Sequence, residues 1–312
     1  MTTLLTFRDN IKGFYSRFDF ILTPILKFIL AFVIFQSLNS QFGYWQILDN
    51  TMLILAVSAI CAFLPIEVMT GISGLIIALQ SFKVSIDVGL LAVAVIVIFY
   101  CGYMRFAPKI GIIAVIVPLC YSLHLTYALP ILLGFLVGPA AIIPVAFGFI
   151  LYYYEGCLSE LVKVLAATTE EDEAVQGFQY IISAMIDNRE MMLLIVISAL
   201  VILITFCIYK LPVEHSWVAA FISGGFFNVV LFLTGNVIVL LDVDIVPVVV
   251  GSVVGIILSM CIQFFKGVVD YQRTEILQYE DDEYYYYVKA IPKLSVSSMN
   301  KNVKHINSKT PN

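Results

Sequence analysis

The chain has 312 residues, 61% hydrophobic and only 12% charged, with a mean hydropathy of +0.98, whereas roughly a quarter of residues are charged in an average soluble protein. A soluble domain of this size could not hide so much apolar surface; no nucleic-acid partner is expected, and the formal net charge of −5 says little, because orientation in a membrane follows where Lys and Arg lie. The composition implies an all-α polytopic helix bundle in a lipid bilayer, with about eight to nine apolar segments.

Residues 1–19 carry Arg8, Lys12 and Arg17 among Phe7, Ile11, Phe14, Tyr15 and Phe18 at near-helical spacing. They read as a cytoplasmic amphipathic helix on the inner leaflet, and no cleavable signal peptide is expected. Residues 20–154 form a first membrane half. Lys27 sits early in the first apolar run, where its stem lets it snorkel to the headgroups. Spans are expected at about 51–66 and 86–104. The piece between them, 68–82, is brief for a crossing and rich in small residues (Gly71, Ser73, Gly74). Arg105 and Lys109 mark an inside turn, and 110–123 leads back out.

The stretch Tyr127 to Tyr154, YALPILLGFLVGPAAIIPVAFGFILYYY, is broken at Gly138-Pro139 and again at Pro144. As one straight helix, Tyr127 to Tyr153 would be roughly 40 Å long against a hydrocarbon core of about 30 Å. Each proline also removes a backbone donor, which at membrane depth is tolerated only where protein or water satisfies the freed group. A bent or re-entrant central helix follows.

Residues 155–190 are the one sizeable polar interval between apolar segments. Leu158, Leu161, Val162 and Leu165 share one helical face, and Val175, Phe178, Ile181, Ile182, Met185 and Ile186 share another. Between them, Thr169-Glu170-Glu171-Asp172 has the form of a helix start, so an amphipathic helical hairpin is expected. Residues 191–266 form a second membrane half, with segments at 191–208, 216–234 and 245–265. Gly134-x-x-x-Gly138 and Gly251-x-x-x-Gly255 suit close helix approach.

Three short matches recur in order: Leu64-Pro65-Ile66-Glu67 with Leu211-Pro212-Val213-Glu214, Ile72-Ser73-Gly74 with Ile222-Ser223-Gly224, and Asp87 with Asp244 opening apolar runs. They suggest an internal repeat framing the broken stretch, as in transporters with midplane pathways. If Tyr127 to Tyr153 returns to its starting side, Lys210 and the basic tail fall inside. Both termini are then cytoplasmic and 155–190 is outside.

Ionisable groups near apolar segments are pathway candidates, because charge there is costly. Glu67 and Glu214 follow prolines at matching places in the repeat, and Asp87 and Asp244 open runs. With Gly138, Pro139 and Pro144 they form the candidate coupling set, although Asp87 also fits a plain helix N-terminus. His124 and His215 make no metal site or triad. Cys61, Cys101, Cys120, Cys207 and Cys261 lie inside apolar runs with no CxxC, so they read as core residues. No catalytic residue, cofactor or metal site is assigned.

Residues 267–312 form a tail in which the acids Glu280 to Glu283 precede Tyr284, Tyr285, Tyr286 and Tyr287. The tyrosines with Val288 and Ile291 favour an extended strand ending at Pro292, and residues 295–312 read as disordered. Acids before the strand oppose an anionic leaflet, so Glu283 to Tyr287 are candidates for docking a cytoplasmic protein. With its approach Val269-Asp270-Tyr271-Gln272-Arg273-Thr274-Glu275, this tail resembles the C-terminus of a family of uncharacterised multi-pass membrane proteins of anaerobic Gram-positive bacteria. Their tails read much like EDDEYYYYVKA-PK, and they are sometimes loosely labelled transporter permeases. The match covers Val269 to Lys293; it implies a bacterial plasma membrane and assigns no functional residues. Two readings stay open: a permease-like transport protein, and a scaffold or assembly factor recruiting a partner through its tail. An intramembrane enzyme with scattered residues is the third.

Overall fold

A computed structural model describes residues 2–45, 50–165, 173–241, 244–266, 275–280 and 285–290. The expected helix start at Thr169 to Asp172, as well as Asp242, Glu283, Tyr284 and residues 291–312, lies outside them. The described residues form eleven α-helices: α1 (Thr2–Phe42), α2 (Thr51–Phe63), α3 (Ile66–Val84), α4 (Ile86–Phe99), α5 (Ile113–Ser122), α6 (Leu129–Leu136), α7 (Ile142–Leu165), α8 (Glu173–Ile186), α9 (Arg189–Tyr209), α10 (Ser216–Val239) and α11 (Ile245–Lys266). Two strands follow, β1 (Glu275–Glu280) and β2 (Tyr285–Ala290). Seven helical stretches are long and apolar enough to cross a bilayer: 6–40, 66–84, 86–104, 138–164, 189–209, 216–239 and 245–266. This is an all-α polytopic membrane protein.

The chain divides into two compact units, one of Phe20–Ile262 and one of Met1–Asp19 with Gln263–Asn312. In the second of these, Arg8 is buried, pairs with Asp9 at 2.8 Å and lies 6.0 Å from the Phe264 ring centroid. The α1 backbone leaves helical dihedrals at Phe18. The two strands form an antiparallel hairpin in which Tyr286 faces Tyr279 and Tyr285 faces Glu280.

Within Phe20–Ile262, side-chain contacts fix the direction of each helix. Lys27 Nζ donates to the Leu64 carbonyl at the end of α2 (3.1 Å), a cation at a helix C-terminus. At the other end of α1, the Trp45 N–H donates to Gln80 Oε1 (2.9 Å), Gln80 Nε2 to Asn39 Oδ1 (3.2 Å), and Lys83 lies 5.0 Å from the Trp45 ring. The piece expected to be brief at 68–82 is the middle of the 19-residue α3. Its polar residues do not shorten it, because Ser73 and Ser81 turn their hydroxyls onto the Met69 and Ile77 carbonyls of the same helix. Tyr154 then donates to Ser81 Oγ at 2.9 Å, joining α7 to α3. A π-turn at Tyr100–Met104 extends α4.

The central stretch folds back on itself. After α5, a turn through His124 (φ 58°) leads into a 3-10 turn at Thr126–Ala128 and the eight-residue α6. A Cβ at Gly134 would lie 2.9 Å from Thr205 Cβ, and one at Gly138 2.7 Å from the Phe206 ring, so α6 descends along α9 toward that helix's C-terminus. Gly138 turns the chain at φ 79°, a conformation glycine adopts without steric cost. α7 then climbs back beside α5, meeting it at Gly148 against Val117 and Tyr152 against Tyr121. Pro144 sits in the first turn of α7, where proline is tolerated. The carbonyl four residues earlier, Ala140 O, receives the Tyr103 hydroxyl at 2.6 Å instead.

The second glycine motif seats α11 on the start of α6. Gly251 faces Tyr127 and Gly255 faces Ala128, while Asn228 of α10 donates to the Tyr127 carbonyl (2.9 Å) and to Ser252 Oγ (2.8 Å). Traced through these contacts, Phe20 and Ile262 lie at the same end of the bundle as Arg105, Lys109 and Lys210. The ends of α5 and α7 and the start of α9 lie at the other.

Candidate functional site

The sequence-derived candidates sit at helix ends. Glu67 is half-buried in the first turn of α3, with its carbonyl accepting the Tyr100 hydroxyl at 3.3 Å, and Glu214 is exposed in the turn before α10. Both belong to the basic end. Asp87 is half-buried in the first turn of α4 and Asp244 is exposed just before α11, at the opposite end. Gly138 and Pro144 are buried in the fold-back and Pro139 is exposed. Of the tail residues, Tyr285 and Tyr286 are exposed on β2, and Tyr287 faces Gln278 in the hairpin register.

A polar cleft lies elsewhere, where α5, α7, α8 and α9 converge at the end away from the basic turns. It holds about 550 Å³, and its walls include Tyr121, Tyr152, Tyr153, Glu155, Glu160 and Glu190. Because α5 and α7 run side by side, Tyr121 and Tyr152 stack with ring centroids 3.8 Å apart, and Tyr153 closes edge-on against both at 6.1 and 5.4 Å. Asn188 caps α9 by accepting the Met191 N–H at 2.9 Å, which fixes Glu190 in the first helical turn, where the dipole favours an acid. Glu190 Oε1 accepts the Tyr121 hydroxyl at 3.2 Å.

Glu155 is the unusual member. It is 6% exposed, and both its carboxylate oxygens are buried with no hydrogen-bond partner among the described residues. An unpaired ionised carboxylate away from water costs several kcal/mol, so an acid in this place is expensive unless a counter-charge reaches it. It lies one helical turn beyond Tyr152, between the aromatic wall and the buried Leu158 and Leu161. No Lys or Arg among the described residues lines the cleft. Among the described residues, no three His, Cys, Asp or Glu side chains group closely enough to ligate one metal ion.

Sequence reasoning placed Glu155 and Glu190 at the borders of a polar interval and missed the cleft. A signal existed: Glu155 is three residues before Leu158 and six before Leu161, so it shares the face that helical periodicity buries. What the sequence did not reveal is that α5 runs parallel to α7, which brings Tyr121 onto Tyr152. Comparison of the chain with protein-family models, with curated proteins and with solved structures finds no match in any of the three.

Proposed function

We propose that the chain is a transport-type protein of a bacterial plasma membrane, with the tyrosine and carboxylate cleft as its solute site. The observation that carries this reading is Glu155, an acid on a candidate membrane helix with both oxygens buried and unpartnered on the wall of a cavity. Ionisable residues on such helices mark pathways by default, because a purely structural wall avoids their desolvation cost. The half-depth, glycine-hinged α6, which packs along α9, is the kind of broken element that transporters use near their pathways. In this reading the end with Arg105, Lys109 and Lys210 faces the cytoplasm with both termini, and the cleft opens outside.

The test is solute flux into proteoliposomes, using labelled amines, amino acids and sugars. The parent should pass at least one class faster than protein-free vesicles, and Glu155→Gln should abolish that flux without loss of inserted protein. Flux equal to empty vesicles for every class removes the transport reading. Sidedness is checked separately with Asp187→Cys in a cysteine-free background, since Asp187 is exposed. An impermeant maleimide should label it on intact cells, and labelling only after lysis reverses the orientation.

The hairpin favours a second reading, a scaffold that holds a cytoplasmic protein. Tyr285 and Tyr286 are 63% and 47% exposed on a two-stranded sheet, which by itself is only marginally stable in water. Replacing both with Ser should release a stoichiometric co-purifying protein if that reading holds, and leave the purified material unchanged if it does not.

A further inference from the structure

The cleft also defines the chemistry of what it takes. Its ionisable wall is acidic, with Glu155, Glu160 and Glu190 and no basic side chain among the described residues, which opposes any anion. A neutral polyol could pair with the hydroxyls of the wall, but it would leave the buried Glu155 carboxylate without a counter-charge. Metal ions require several converging ligands, and no such group of three exists among the described residues. A bare proton needs no cavity of about 550 Å³, a volume within the range of small-molecule sites. What remains is a cation with an organic body. Tyr121, Tyr152 and Tyr153 give that body an aromatic surface, whose ring faces attract positive charge. Glu190 accepts the Tyr121 hydroxyl and Glu160 the Tyr180 hydroxyl, so Glu155 is the wall carboxylate with no partner among the described residues.

We propose that the cleft binds a small organic ammonium ion, with the Glu155 carboxylate as its counter-charge and the three tyrosine rings as its apolar wall. This rests on the reading of the cleft as a solute site and names the solute's class.

The experiment uses the purified full chain in detergent and two pairs of probes matched in shape. These are choline with 3,3-dimethylbutan-1-ol, and isobutylammonium with 2-methylpropan-1-ol, each followed by calorimetric titration. At least one ammonium should bind saturably, its uncharged counterpart at least about tenfold more weakly. Glu155→Gln should weaken the ammonium at least about tenfold while the unliganded unfolding temperature stays level or rises, because a buried unpaired acid is gone. If Glu155→Gln fails to accumulate, Tyr152→Leu serves in its place and should also weaken binding by removing one wall. Equal binding of charged and uncharged probes, binding indifferent to both substitutions, or no binding at all overturns the proposal. Ammonium binding without flux would sink the transport reading and leave this one standing; flux of another solute without ammonium binding would do the reverse.

Discussion

Pro144 has no N–H, so the Ala140 carbonyl takes its hydrogen bond from Tyr103, on the π-turn after α4. The pairing makes a prediction that a simple packing contact would not. Tyr103→Phe should cost about 1 kcal/mol of stability in detergent, the usual worth of such a bond. Pro144→Ala restores a backbone donor aimed at the same carbonyl, so the Tyr103→Phe penalty should shrink toward zero in that background. A penalty of equal size in both backgrounds would mean that the hydroxyl has no such role. Gln80 sets a second test, because it is fully buried between the Trp45 N–H and the Asn39 amide. Gln80→Leu leaves both groups short of a partner and should lower stability by about 2 kcal/mol, read as a lower unfolding midpoint.

At the scale of elements, α6 is defined by how closely it approaches its neighbours. Gly134→Val would drive a side chain into Thr205 Cβ and the Ile202 carbonyl, 2.9 and 3.0 Å from an added Cβ. Because one obstacle is backbone, the site cannot relax cheaply. The expected loss is about 1–3 kcal/mol, with a lower yield of folded protein and increased protease access to residues 126–136. This element also shows what the sequence makes legible. The re-entrant helix follows from prolines and length, and both glycine motifs serve the close approach that their spacing suggests. The candidate site does not follow in the same way. Glu155 and Glu190 are 35 residues apart (190 − 155), and Tyr121, which bonds Glu190, reaches Tyr152 near Glu155 because α5 and α7 run in parallel. That is a tertiary fact with no local signature. Glu67 and Glu214, singled out by a sequence echo, instead occupy helix starts at the basic end.

For the whole molecule, the buried apolar clusters among the described residues all lie between Ala31 and Val248. A chain ending at Lys266 should therefore insert and unfold within about 2 °C of the parent, because a change that leaves the core intact is worth only tenths of a kcal/mol. A larger drop, measured by a fluorescence melt in the same detergent, would show that residues 267–312 support the bundle.

The fold-back also orders events during synthesis. With only eight helical residues, α6 is too short to be recognised as a crossing when it emerges. The surfaces that hold it belong to Thr205, Asn228, Gly251 and Gly255, all made later. Until α9 and α10 leave the ribosome, the hinge at Gly138 lacks Phe206 and the carbonyl of Tyr127 lacks Asn228, and Gly251 and Gly255 come later still. The stretch on which the architecture turns is thus among the last to take its place, and the nascent chain must keep residues 125–137 shielded while some 120 further residues are threaded into the bilayer.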